Sequence, residues 1–155
     1  MKLHSIVYQY THPSWHACLN QALLTIDPDY RVKLSIMQNW LPGPQAIFNA
    51  FTVPLHAVRY VLLGESPYPR PRSANGYAFW DADVELLWSA GGLSTKVNRA
   101  TSLRNLMKML LVAEGLLIPP HYGQADIAVI NKQGLVTTAA ELFANLLQQH
   151  FLLLN

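Results

Sequence analysis

Two segments of this chain read as short apolar strands that each end in a polar loop. The first is Val58 to Gly64, followed by Glu65-Ser66-Pro67-Tyr68-Pro69 and, at Gly76, by Gly-Tyr-Ala-Phe-Trp. The second is Phe151-Leu152-Leu153-Leu154, followed by Asn155. Both are apolar on both faces, as strands buried inside a parallel sheet are. In open α/β sheets ligands bind where such strands end. The loops offer an aromatic plate in Phe79, a wall in Tyr68 and a side-chain amide in Asn155, the parts needed to hold a flat, uncharged ring.

The rest of the chain supplies helices around those strands. Apolar residues recur at helical spacing from Trp15 to Leu24, with Ser14 as cap, and from Tyr30 to Trp40. Pro42-Gly43-Pro44 stops the second of these, and Pro44 opens a short helix through Ala50. Asp83 to Trp88 has room for one or two helical turns, and Tyr77 to Trp80 reads as extended. Thr101 to Glu114 is the clearest helix: Leu103, Leu106, Met107, Leu110 and Leu111 share a face, Thr101 caps it and Gly115 ends it. Ile127 to Asn131 and Leu135-Val136 read as a hairpin around Lys-Gln-Gly. Thr138-Ala-Ala-Glu141 is a capping box that opens a helix to about Gln149. A strand is expected from Ile6 to Tyr10.

A length of 155 residues, 51% hydrophobic and 13% charged, suits one folded domain over residues 1–155 and not a disordered chain. The apolar run from Leu110 to Ile118 is broken by Glu114 and Gly115, so no membrane span is expected. The first ten residues lack a signal peptide's apolar core and cleavage site, which makes a cytoplasmic protein the expectation. The lone cysteine, Cys18, cannot form an internal disulfide or a multi-cysteine metal site, and the histidines show no ligand spacing; no metal or other cofactor is expected. Between Arg59 and Lys108, seven basic residues against four acidic ones leave a charge of +3, which suits contact with phosphates or simply a solvated surface.

Five blocks, in order, resemble the uracil-DNA glycosylases of the general bacterial and eukaryotic type. They are Pro-Gly-Pro-x-x-Ile-Phe-Asn-Ala-Phe (Pro42 to Phe51), Gly-Glu-Ser-Pro-Tyr-Pro (Gly64 to Pro69), Ala-x-Gly-x-x-Phe (Ala74 to Phe79), Ser-Leu-x-Asn (Ser102 to Asn105) and Leu-Leu-Leu-Asn (Leu152 to Asn155). The resemblance implies a three-layer α/β/α fold with a central parallel sheet, incomplete at the C-terminal side. It also implies DNA carrying uracil as partner. Phe79 would stack on the flipped-out base, and Tyr68 would exclude the methyl group of thymine. Asn155 would pair with O4 and N3–H, which separates uracil from cytosine. Backbone N–H groups around Glu65 and Ser66 would face O2, where negative charge grows. Ser102, with Arg104 nearby, would hold a DNA phosphate.

Two departures from the family pattern limit the implied chemistry. Ser66 stands at the place of the aspartate that activates water, and serine supplies no negative charge at neutral pH. Gly-Glu-x-Pro is closer to the thermophile-type branch, which also lacks that aspartate but carries an iron–sulfur cluster on four cysteines. The family's later strands and its His-Pro-Ser loop have no counterpart after Asn155. His12-Pro13-Ser14, following the strand expected at Ile6 to Tyr10, would take that loop's place if the chain were circularly permuted. The expectation is therefore a uracil-DNA glycosylase-like protein with weak or lost excision. The alternatives are a non-catalytic nucleic-acid or protein-binding module, or a degenerate repair-enzyme fragment. Self-association is expected to cover the incomplete sheet.

Overall fold

The computed structural model describes residues 3–37 and 39–155. Along the chain lie α1 (Leu3–Tyr10), α2 (His16–Thr25), α3 (Pro28–Ile36), β1 (Tyr60–Leu63), β2 (Trp88–Ser89), β3 (Gly92–Leu93), α4 (Thr95–Arg99), α5 (Thr101–Ala113), α6 (Gln124–Ala128), α7 (Ala139–Gln148) and β4 (Phe151–Leu154). The chain divides into two compact units, residues 1–78 with 146–155 and residues 79–145. Among the described residues no helix is long and apolar enough to cross a membrane.

The first unit holds the expected parallel pair. Tyr60, Val61, Leu62 and Leu63 of β1 lie opposite Phe151, Leu152, Leu153 and Leu154 of β4. Its core gathers Ile6 and Val7 from α1, Leu19 and Leu23 from α2, Trp15, Phe48 and Ala50 from the connections, and Leu152 from β4. The Trp15 indole is buried without loss of its hydrogen bond, because Nε1–H donates to the Val53 carbonyl at 2.7 Å.

The second unit buries Leu103, Leu106, Met107 and Leu111, the apolar face expected of α5, with Phe143 of α7. The Trp80 ring stacks on Phe143 with centroids 5.0 Å apart. Half of the expected α7 capping box forms as read, with Thr138 Oγ1 accepting from the Glu141 N–H; the Glu141 carboxylate accepts from the Thr137 N–H, one residue before the cap.

Several local expectations are overturned. Ile6 to Tyr10 is helical, with Ile6 and Val7 buried together in the core. It therefore provides no strand leading into His12-Pro13-Ser14, and that tripeptide forms a capping turn instead. Ser14 N–H donates to His12 Nδ1, Ser14 Oγ lies 2.8 Å from the same nitrogen, and Oγ accepts from the Leu55 N–H. The helix expected from Trp15 begins at His16, after a 3-10 turn over Pro13–Trp15. The helix expected over Tyr30 to Trp40 ends at Ile36, where Met37 turns extended; Gln38, like Met1 and Lys2, lies outside the described residues. Residues 44–48 form turns, and the 3-10 helix there spans Asn49–Thr52. Residues 77–79 are bends, and β2 and β3 replace the helical turns expected near Trp88.

The hairpin expected around Lys132 is absent. The Lys132 ammonium donates to the carbonyls of Ile127, Ala128 and Ile130, which wraps the backbone around one cation at the end of α6. α5 begins at Thr101, but Ala100 occupies the cap position and gives no side-chain bond. β1 is an exposed edge strand, not a buried central one: Tyr60, Val61 and Leu63 are 56%, 57% and 68% exposed. Among the described residues it pairs with β4 alone.

This packing predicts a contrast in urea denaturation. Leu153→Ala, at a fully buried β4 position, is expected to lower stability by about 3 kcal/mol. Val129→Ala, 85% exposed, is expected to change it by less than about 0.5 kcal/mol.

Candidate base-binding pocket

β1 and β4 run parallel, so their carboxyl ends lie side by side and both loops start at one place. The Gly64 N–H donates to the Leu154 carbonyl at 2.7 Å and carries the pairing one step past the strands. On the other side of β4, the Ala78 N–H donates to the Leu153 carbonyl at 3.0 Å. Asn155 therefore emerges between the loop after β1 and the segment ending at Ala78.

Gly64 is required there by space. A Cβ on this residue would collide with Asn155 Oδ1 and stand 3.1 Å from Ala78 Cβ. Hydrogen in place of a side chain lets the Asn155 carboxamide lie against the β1 backbone. Gly76 is required by both conformation and space: its φ is +84°, and a Cβ would run into the Ala46 carbonyl. That contact brings the turn after Pro42-Gly43-Pro44 against the Ala-x-Gly loop. Asn49 fastens the two, its Nδ2–H donating to the Asn75 carbonyl at 2.7 Å. Asn75 Oδ1 in turn accepts from the Tyr77 N–H.

The result is a cavity of about 70 Å³ lined by Pro42, Ile47 and Ala50, by Pro67, by Gly76, and by Leu154 and Asn155. Four of the five sequence blocks thus converge on one small, mostly apolar space with a single side-chain amide. That volume is well below the roughly 300–1,000 Å³ of sites for larger ligands. A larger, open depression of about 480 Å³ in the second unit is lined by Trp80, Leu86, Thr138 and others, but its polar groups are few.

The other expected site residues fall as follows. Glu65 and Ser66 are exposed on the loop after β1, and Tyr68 is half-buried. Pro67 is the residue of this loop that lines the cavity. Arg70 donates from Nε to the buried Ser73 hydroxyl and closes a turn. Phe79 opens the second unit, half-buried and with φ +65°, a conformation that costs a bulky residue energy. Ser102, also in the second unit, is exposed on the first turn of α5. Arg104 is half-buried and donates from one guanidinium nitrogen to the Asn98 carbonyl at 2.9 Å, bracing the corner between α4 and α5. Sequence reasoning missed Gly64, Gly76 and Asn49 as site-forming residues. The signal was present in the blocks themselves, since each sits inside one.

Known proteins resemble the chain in sequence over part of its length and in structure over nearly all of it. A uracil-DNA glycosylase of Acinetobacter baylyi is 35% identical over 81 residues, which cover 52% of this chain and 29% of that protein. One of Mycolicibacterium gilvum is 41% identical over 49 residues, covering 32% of this chain and 22% of that protein. The crystal structure of UNG from Nitratifractor salsuginis superposes with a TM-score of 0.86 at 40% identity, covering 99% of this chain and 62% of that one. A tyrosine-to-glycine mutant of it gives 0.87 at 39%. The chain therefore spans less than a third of the curated relatives it matches and about three-fifths of the solved ones. No family model matches it.

The pocket geometry makes Gly64→Ala a sharp probe. It is expected to displace the Asn155 carboxamide, seen as a shift of its side-chain NH₂ resonances. Asn49→Ala, which removes one hydrogen bond between the two loops, is expected to cost about 1 kcal/mol in urea denaturation.

Proposed function

We propose that this chain, which belongs to the uracil-DNA glycosylase superfamily, binds an extrahelical uracil of DNA at the ends of β1 and β4. The observation that carries the reading is the Asn155 amide lodged against Gly64, beside a small apolar cavity, where both strands stop. An amide offers a donor and an acceptor in one plane, which matches O4 and N3–H of uracil and mismatches cytosine. Stacking by Phe79 and methyl exclusion by Tyr68 belong to the same proposal and rest on their sequence blocks.

Excision would break the bond between the sugar C1′ and the base N1. The electron pair leaves with uracil and places negative charge on O2. Backbone N–H groups near Glu65 and Ser66 are the donors proposed to receive it, and donors of this kind contribute about 10²–10³-fold each. Water then adds to C1′ and loses a proton. Ser66 carries no charge to accept it, so the chain forgoes a contribution of about 10²–10⁴-fold from a general base. We therefore assign weak excision at most.

The DNA backbone is proposed to meet α5 at Ser102. What supports this is that Ala100 gives no side-chain cap, so the first N–H groups of α5 remain available to an anion beside an exposed hydroxyl. Arg104 adds positive charge nearby.

The test is a single-stranded oligonucleotide with one uracil. Binding is expected for the wild-type chain and is lost in Asn155→Ala. Cleavage is slow and rises by about 10²-fold in Ser66→Asp. Equal affinity for thymine and uracil oligonucleotides would sink the pocket assignment. Binding with no cleavage, even in Ser66→Asp, would favour a non-catalytic module.

A further inference from the structure

The Arg72 side chain has no structural task in the loop after β1. It is exposed, and among the described residues it makes no hydrogen bond or ion pair. The loop nevertheless holds it in one place. The Arg70 carbonyl accepts from the N–H groups of Ser73 and Ala74, both at 3.0 Å, so residues 70–73 form a tight turn. Pro71 takes the second position of that turn, where its fixed φ fits, and Arg72 takes the third. Arg70 Nε–H donates to the hydroxyl of Ser73, which is wholly buried and anchors the turn. Proline at 67, 69 and 71 leaves this stretch little freedom.

The turn stands close to the cavity, because residues on both sides of it line that space. Pro67 precedes Arg72 by five residues, and Gly76 follows it by four. Four residues of chain span at most about 14 Å. The guanidinium is therefore within reach of backbone phosphates a few nucleotides from a base held in the cavity. Between Gly64 and Ala78 two arginines outnumber the single acid, Glu65, so the loop's field favours an anion. We infer that Arg72 grips a phosphate of the strand whose base enters the cavity. A guanidinium presents a planar fork of N–H donors that matches two phosphate oxygens. Such a contact carries no sequence information; it fixes where the strand lies. Arg72 is thus a positioning residue, and it gives the first unit a backbone contact of its own, separate from Ser102 in the second. Which phosphate it holds rests on the base-binding reading; the charge contact itself does not.

The test is binding of single-stranded oligonucleotides that carry one uracil and one phosphate replaced by an uncharged methylphosphonate, moved along the strand. The wild-type chain is expected to lose about tenfold in affinity when the replacement falls on one phosphate near the uracil. Arg72→Gln is expected to lose a similar factor on the unmodified strand and to be indifferent to that methylphosphonate. It also lowers the slope of log affinity against log salt by about 0.7, the share of one single-strand phosphate. Arg72→Lys keeps most of the slope, because the charge remains. Uracil and thymine strands are weakened by the same factor. Far-UV circular dichroism checks that each variant is folded. An Arg72→Gln chain with wild-type affinity and salt slope overturns the inference, and so does one that still loses affinity at the same methylphosphonate. If uracil and thymine strands bind the wild-type chain equally while Arg72→Gln still lowers the slope, the base pocket fails and the phosphate contact stands.

Discussion

The parallel pairing of β1 with β4 is the constraint on which the rest depends. It joins residues about ninety positions apart in the chain and sets Leu63 opposite Leu154. Only in that register does Asn155 arrive beside Gly64, and only glycine there leaves space for the amide. The Gly64 N–H bond to the Leu154 carbonyl then holds the two loop starts together. A slip of one residue would turn the Asn155 side chain to the opposite face. The position of the amide thus has its origin in a four-residue ladder.

Around that ladder the pocket is built by close approach, not by large side chains. Gly76 lets its loop meet the Ala46 carbonyl, and Asn49 pins the contact through the Asn75 carbonyl. Pro42 and Pro67 contribute stiff apolar walls at little entropic cost, because proline has few conformations to lose. The chemistry this frame supports is recognition first. The proposed chemistry has a held amide in Asn155 and, with Ser66 in the loop, no charged base for the water step.

Much of this was legible in the residues. β1, β4, α5 and α7 announce themselves through uninterrupted apolar runs or a helical stripe with a capping box. The convergence of four motifs followed from their order along the chain. What escaped reading depended on tertiary contacts. Ile6 to Tyr10 is rich in β-branched and aromatic residues, yet burial of Ile6 and Val7 in the first unit's core makes it a helix. The stretch after Ile127 has strand propensity, but the three carbonyls taken by Lys132 curl it. The roles of Gly64, Gly76 and Asn49 are set by neighbours distant in sequence, and local propensity carries no trace of them. β1 looked buried because its side chains are apolar; whether a strand is covered depends on what lies beside it.

The central claim is that the Asn155 amide reads the base. The most direct measurement follows the Asn155 side-chain NH₂ signals by NMR while uracil-containing and cytosine-containing oligonucleotides are added in parallel. The account predicts that the uracil strand moves these signals, and the resonances of Gly64 beside them, at concentrations where the cytosine strand leaves them in place. Identical shifts with both strands, or shifts confined to residues remote from the ends of β1 and β4, would contradict it.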